Sequence, residues 1–304
     1  MEKLTSQQGI IFDVDHFAVH DGPGIRTTIY FKGCPLSCKW CHSPESQLDK
    51  SQILFAANRC IKCGACVGEC TNYNQALSQE GERKFMNEDC VGCGECTRVC
   101  PSGAMFLSGK KLQLEEVMKE IIPEKVFFKN SGGGVTLTGG EVLMQAKFAY
   151  GLLRCLKEEG INTIVETSGY GNKEDLLRLA EFVDTFYYDL KLSDKKQFSY
   201  YTGGDLEIVL SNLRFLRGET DSIVLRIPLI PGITDTEENI IAIYKIALEL
   251  NITKLHLLPY NMAAGEKYEW CGKKYELQEM NSDESYNEHL KNIAPKELDV
   301  QIMN

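Results

Sequence analysis

The sequence predicts an α/β fold: an open, partial (β/α)6 barrel, TIM-like but short of closure, interrupted after its first strand by a small inserted domain. Three observations carry that expectation. From Lys110 onward, short apolar runs alternate with amphipathic helical patterns, the mark of a parallel sheet covered by helices. One more strand precedes the interruption, so the count reaches six units where a closed barrel of this kind has eight. Between the two stretches, eleven of the thirteen cysteines crowd into Cys34–Cys100, leaving little room for a conventional core.

The elements follow in order. Arg26–Lys32 is the first strand and runs straight into a cysteine loop. Later strands are expected at Val135–Thr138, Thr163–Thr167, Thr185–Leu190, Ile223–Ile230 and Lys254–Pro259, each short, apolar and rich in β-branched or aromatic residues. Helical periodicity marks Glu141–Glu159, Lys173–Val183, Leu206–Arg217 and Thr236–Leu250. Three regions result: residues 1–51 as the first barrel unit, 52–108 as the insert, and 109–304 as the rest of the barrel.

Bulk properties exclude several classes of function. A net charge of -10 argues against nucleic acid, whose phosphates select basic faces. Met1–Phe12 lacks the apolar core of a signal peptide, and no apolar run reaches the ~20 residues of a membrane span. A soluble cytoplasmic protein is expected, with no nucleic-acid or membrane partner. In that reducing compartment dense thiols bind metal more often than they pair, since disulfides staple small exported domains.

The insert contains a repeat. Cys60-x2-Cys63-x2-Cys66-x3-Cys70 is echoed by Cys90-x2-Cys93-x2-Cys96-x3-Cys100-Pro101. This is the spacing of a ferredoxin-type domain with two 4Fe–4S clusters, in which the fourth cysteine of each run reaches the neighbouring cluster. On that scheme Cys60, Cys63, Cys66 and Cys100 hold one cluster, and Cys90, Cys93, Cys96 and Cys70 the other. Structural zinc uses paired knuckles instead of two runs of four.

Cys34-Pro-Leu-Ser-Cys38-Lys-Trp-Cys41 is more informative, because it offers only three thiols. A cubane held by three thiolates keeps one iron open to a small molecule, as catalytic metals keep a vacant position. The alternative is a closed structural cluster completed by Cys155 or Cys271. Cys155 lies at helical spacing with Leu152 and Leu156, which suits an apolar helix face; Cys271 is isolated.

Cys-x3-Cys-x-aromatic-Cys at the end of a first barrel strand resembles the signature of the radical S-adenosylmethionine superfamily. Asp21-Gly-Pro-Gly-Ile-Arg26 before it and His42-Ser-Pro-Glu-Ser46 after it resemble the activating enzymes of glycyl radical enzymes, whose larger members carry a two-cluster insert. The resemblance spans about Ile11 to Leu277. It implies three 4Fe–4S clusters, S-adenosylmethionine, a glycyl radical enzyme as protein substrate, and flavodoxin or ferredoxin as electron donor. Cys34, Cys38 and Cys41 would hold the catalytic cluster, with Trp40 and His42 beside it. Gly139-Gly140-Glu141 matches the family's Gly-Gly-Glu element, where Glu141 would accept hydrogen bonds from the methionine ammonium.

Strand ends supply the other expected contacts. Alternation puts Asp189 and Lys191 on one face, matching the family's Asp-x-Lys near the cofactor and the entering peptide. Glu166, Thr167 and Asp189 would hold a monovalent cation, as in smaller members. Arg226 is placed to bind a carboxylate or ribose oxygen. Asn261 follows Pro259-Tyr260 where the family often has His, so that position cannot take up a proton near neutral pH. Two other readings compete: a peptide or sulfatase maturase of the same superfamily, and an electron-transfer protein with no use for the three-cysteine loop. Maturases usually carry auxiliary cysteines after the barrel, whereas only two scattered cysteines follow Cys100 here.

Overall fold

The fold is taken from a computed structural model, which describes residues 7–71, 75–77, 83–85, 90–261, 264–277 and 280–303. Part of the expected insert, 52–108, therefore lies outside the described residues. Within them the strands are β1 (Gln8–Ala18), β2 (Arg26–Phe31), β3 (Gln52–Phe55), β4 (Gln75–Leu77), β5 (Arg83–Phe85), β6 (Met105–Ser108) and β7 (Lys110–Gln113). They continue with β8 (Gly134–Gly139), β9 (Asn162–Thr167), β10 (Thr185–Asp189), β11 (Ile223–Leu229), β12 (Lys254–Pro259) and β13 (Asp299–Ile302).

Nine of these strands form one sheet in the order β13-β12-β11-β10-β9-β8-β2-β1-β7. From β2 to β13 every pairing is parallel; β1 and β7 add antiparallel strands beyond β2. The result is a mixed α/β fold with a large, mainly parallel sheet. Its two terminal strands, β7 and β13, do not pair with each other, so the sheet is open.

The six expected strands are all present within a residue or two, and a seventh parallel strand, β13, corrects the count of six units. β13 alternates Asp299-Val300-Gln301-Ile302 with only Val300 buried, a run of four too short to stand out as a strand. The long strand β1, between β2 and the terminal β7, also carries no clear signal. Its alternation is confined to Phe12–Asp15 and ends at His16, and register shifts at Ile11/Asp13 and Asp15/Ala18 bend it.

The strands read as apolar runs because they are covered on both faces. Ile29, Phe31, Val135, Leu137, Val165, Phe186 and Leu225 are all inaccessible to solvent. Helix Ala146–Glu158 buries Phe148, Leu152, Leu153 and Leu156, and Cys155 sits half-buried on its flank, as helical spacing suggested. Helices Lys173–Ala180, Leu206–Glu219 and Glu237–Glu249 pack in the same manner, each opened by a side-chain cap from Asn172, Asp205 or Thr236.

Within the insert, β3 and β6 form an antiparallel pair, Gln52 opposite Ser108 and Phe55 opposite Met105. Two short helices, Ala65–Gly68 and Glu95–Arg98, each start at a left-handed glycine, Gly64 at φ 75° and Gly94 at φ 84°. Their first turns carry matching bonds, Val67 N to Gly64 O and Thr97 N to Gly94 O, both 2.9 Å. The sequence repeat is thus a repeat of backbone. Cys66 and Cys96 meet Ile53 and Met105 in a small core separate from the main one.

Arg26 closes the opposite end of the sheet. It is fully buried and donates to Thr136 Oγ1 (2.7 Å), Val135 O (2.8 Å) and Asn162 Oδ1 (3.1 Å). Burial pulls its pKa down to about 10. Arg26→Met would leave those acceptors unmatched, so the unfolding free energy should fall by about 2–4 kcal/mol, measured by urea titration.

Candidate active site

The cysteine loop is closed on itself by backbone. At the end of β2, Gly33 N donates to Ser46 O (2.7 Å) and Cys34 N to Gln47 O (3.1 Å). The buried Lys32 ammonium reaches Glu45 O one residue earlier, and Gln52 Oε1 at 3.4 Å. Three successive residues entering the loop are thus held by three successive carbonyls leaving it. The loop also rests on helix Lys195–Thr202, through Ser37 N to Thr202 O (2.8 Å) and Lys39 N to Tyr201 O (3.0 Å). Trp40 is buried, its ring 6.0 Å from that of Tyr201.

Cys34, Cys38 and Cys41 all face one cavity of about 820 Å³ at the C-terminal ends of the strands; neither Cys155 nor Cys271 lines it. Burial pushes all three thiols up, Cys38 to about 12 against a modest pull from Lys191. Such thiols become thiolates only beside strong positive charge, which is what iron supplies and what a disulfide or idle thiol would not need. Among the described residues, no three His, Cys, Asp or Glu side chains converge as ligands of a single ion would. A multi-iron core attaches each thiolate to a different iron and holds them apart. The insert shows the complementary chemistry: burial would raise Cys100, but amides of Met105, Ser102 and Ala104 outweigh it and lower its pKa. The three-thiol set therefore fits an iron–sulfur cluster.

Across the cavity from the thiols runs a balanced row of charges. Thr138 Oγ1 donates to Glu166 Oε2 (2.6 Å), and Arg226 pairs with Glu166 Oε1. The β10–β11 register sets Asp189 beside Arg226, with Oδ1 3.9 Å from Nε. Lys191 Nζ bonds Asp189 Oδ2 at 2.6 Å. Burial disfavours the Lys191 and Arg226 charges, yet the neighbouring carboxylates outweigh it and push both pKa values up. Arg226 Nε is buried without a hydrogen-bond partner, which leaves one aimed donor in a polar site.

The structure brings most of the expected residues together. Trp40, His42, Gly139, Gly140 and Thr167 line the cavity with the charged row, and Asn261 closes its rim, its carbonyl 2.8 Å from His42 Nε2. Glu141, expected to accept hydrogen bonds from the methionine ammonium, is the exception among them. It is 1% exposed and lies outside the cavity wall. Its oxygens accept from Thr167 Oγ1 (2.6 Å), Ser168 Oγ (2.6 Å), Ser168 N (2.8 Å) and Leu143 N (3.3 Å). Its own amide donates to Gly33 O at 2.7 Å. Glu141 therefore ties the end of β9 to the root of the cysteine loop.

The glycines before it serve the same junction. A Cβ on Gly139 would lie 2.4 Å from Phe31 N, and one on Gly140 2.3 Å from Gly33 O. The expected cation cradle is also already engaged: Thr167 turns to Glu141, Glu166 to Arg226, and Asp189 to Lys191. His20 is exposed and outside the cavity. Several lining residues escaped the sequence reading: Asp13, Asp21 and Tyr30 near β1 and β2, and Glu45, Leu54, Phe106 and Trp270 on the insert side. Asp21 and Glu45 belong to the motifs flanking the cysteines, which was their only signal.

Two outcomes follow. Glu141→Ala strands four donors and should cost about 3 kcal/mol, while Glu141→Gln, whose amide nitrogen meets donors, should cost about 1–3 kcal/mol, both by thermal unfolding of the iron-free protein. Burial lowers Lys32 to about 8. Between there and the unfolded value the folded chain has lost a proton that the unfolded chain keeps, so stability rises with pH. Wild type should gain on Lys32→Met from pH ~8 to ~10 in parallel denaturant titrations.

Comparison with known proteins agrees with this geometry. The radical SAM superfamily model matches residues 28–243. The chain is 38% identical over 281 residues to the choline trimethylamine-lyase activating enzyme of Oleidesulfovibrio alaskensis, covering 90% of this chain and 91% of that one. It is 37% identical over 276 residues to the trans-4-hydroxy-L-proline dehydratase activating enzyme of Clostridioides difficile, covering 89% and 90%. Against the pyruvate formate-lyase 2-activating enzyme of Escherichia coli it is 35% identical over 275 residues, covering 90% and 85%. Among solved structures, Streptococcus suis SuiB bound to precursor peptide SuiA shares the fold, with a TM-score of 0.55 at 14% identity over 91% of this chain and 48% of that one.

Proposed function

This chain belongs to the radical SAM superfamily and, within it, to the activating enzymes of glycyl radical enzymes, and from that premise we propose how its own residues carry the activity. The protein cleaves S-adenosylmethionine reductively and uses the 5′-deoxyadenosyl radical to take a hydrogen from a glycine Cα of a partner enzyme, leaving a glycyl radical there. The observation that carries this reading is the meeting of three buried thiols and a polar strand-end row in one cavity.

Cys34, Cys38 and Cys41 would hold the catalytic 4Fe–4S cluster. When bound, that cluster supplies the electron that opens the sulfonium C–S bond and a vacant iron for the amino and carboxylate groups of the cofactor. The residues do the rest. Gly139 and Gly140 bring main chain to the cavity without side-chain bulk, and Arg226 Nε offers a donor to a carboxylate or ribose oxygen. Asp189 fixes Lys191 in place, so the ammonium keeps its position while ligands exchange. Trp40 and the apolar residues at the ends of β11 and β12 keep water from a reactive primary radical.

The residue 52–108 insert would be a ferredoxin-type domain holding two further clusters, on Cys60, Cys63, Cys66 and Cys100, and on Cys90, Cys93, Cys96 and Cys70. These would pass electrons inward from flavodoxin or ferredoxin in a reducing cytoplasm. Among the described residues no helix is long and apolar enough to cross a membrane.

The test is anaerobic reconstitution with iron and sulfide, then reductant, S-adenosylmethionine and candidate partners such as choline trimethylamine-lyase and trans-4-hydroxy-L-proline dehydratase. Formation of 5′-deoxyadenosine and a glycyl radical signal in electron paramagnetic resonance support the reading; neither appearing with any partner rejects it. Cys38→Ala should abolish both signals. Cys63→Ala and Cys93→Ala should slow turnover more than they weaken cofactor binding.

A further inference from the structure

The β3–β6 pair has two unlike faces. Ile53, Phe55 and Met105 turn to the insert cysteines, whereas Leu54, Phe106 and Ser108 line the main cavity. Phe106 packs edge-on against Trp270, ring centres 5.3 Å apart at 85°, and Trp270 lines the same lobe. Beside them Glu45 is 7% exposed. One of its carboxylate oxygens meets Lys267 at 3.1 Å; the other, Oε2, is buried with no hydrogen-bond partner. An acceptor buried without a donor is costly, and its position on the cavity wall is that of a ligand contact.

A second apolar region lies elsewhere in the cavity, where Pro228, Ile230, Leu258 and Pro259 end β11 and β12. One S-adenosylmethionine brings one adenine ring, and so occupies one of the two. The cofactor is common to the superfamily, and the superfamily model covers residues 28–243. The β11–β12 shelf is built on the strand ends of the barrel and suits the shared cofactor. The other lobe is walled by β3 and β6, which stand outside the nine-stranded sheet, and by Lys267 and Trp270 of helix Ala264–Trp270. What those parts would recognise is the component that differs between relatives, the protein substrate.

We infer that the lobe formed by Leu54, Phe106 and Trp270 receives an apolar side chain next to the target glycine of the partner polypeptide, with Glu45 Oε2 accepting a main-chain N–H of the same segment. The inference rests on the proposed activation of a glycine-bearing partner. It makes the Phe106–Trp270 pair a specificity determinant, and gives the insert a second task besides holding iron. An extended segment brings both groups the lobe asks for, an apolar side chain and an amide donor.

Two synthetic nonapeptides test it, each with a central glycine and differing only in Leu or Ala beside that glycine. The reconstituted protein is assayed for 5′-deoxyadenosine formed against peptide concentration, and for S-adenosylmethionine affinity by titration. Wild type should show a KM about 10-fold lower for the Leu peptide, from the extra apolar area buried. Phe106→Ala and Trp270→Ala should each cut that preference to less than about threefold, with cofactor affinity held within about twofold. Phe106→Leu, which keeps an apolar wall, should retain most of the preference, and iron content checks that every variant is folded. Equal KM values for the two peptides in wild type, or an undiminished preference in both alanine variants, would overturn the inference. So would weaker cofactor binding with the preference intact, since the lobe would then hold adenine. Wild type that cleaves no S-adenosylmethionine under any condition would remove the proposed function itself, and this inference with it.

Discussion

Everything at this site depends on how the loop of residues 34–41 is anchored. Three thiols on a flexible loop would lose much of their pre-organisation to chain entropy, since each ordered residue costs roughly 1–2 kcal/mol of backbone freedom. The fold meets that cost with main-chain hydrogen bonds that no side-chain exchange can delete. Gly33 and Cys34 are pinned by the carbonyls of Ser46 and Gln47, and Glu141 N holds Gly33 O from the other side. The root of the loop is therefore part of the sheet's hydrogen-bonding system, and β2, paired on both sides by β1 and β8, sets its position.

That anchoring changes the meaning of the Gly-Gly-Glu element. Its glycines are needed first for the approach of β8 to the end of β2, and its glutamate for tying the β9 turn to the loop. Substituting any of the three would disturb the cofactor site without any of them having to touch the cofactor through a side chain. The charged row is different in kind. Glu166, Arg226, Asp189 and Lys191 neutralise one another, which keeps a polar surface in place inside a partly buried cavity and lets individual groups turn to a ligand.

The parallel strands were legible because both faces of each are buried, so composition alone marks them. Cys34, Cys38 and Cys41 were legible as a group because their close spacing brings all three to the wall of one cavity. The flanks of the sheet were not: β1 carries aspartates along an exposed face, and β13 is four residues long. Side-chain direction was not legible either. Lys191 and Glu141 each sit two residues past a strand, β10 and β8; Lys191 turns back to Asp189, while Glu141 turns to Thr167 and Ser168. The insert-side wall had no sequence signal at all, because Phe106 and Trp270 are 164 positions apart and meet only through the tertiary fold.

The insert departs and rejoins at neighbouring points, since Gln52 faces Ser108 across β3–β6, and β7 then returns directly to β1. Its two chain ends are thus neighbours in space. A deletion between residues about 50 and 109 would need only a short splice, because the ends already lie side by side and loop closure grows slowly with length. Such a splice would also strip Leu54, Phe106 and Ser108 from the cavity wall, so the stretch that leaves and returns at one point is bound to the site by its inner face as well as by its ends.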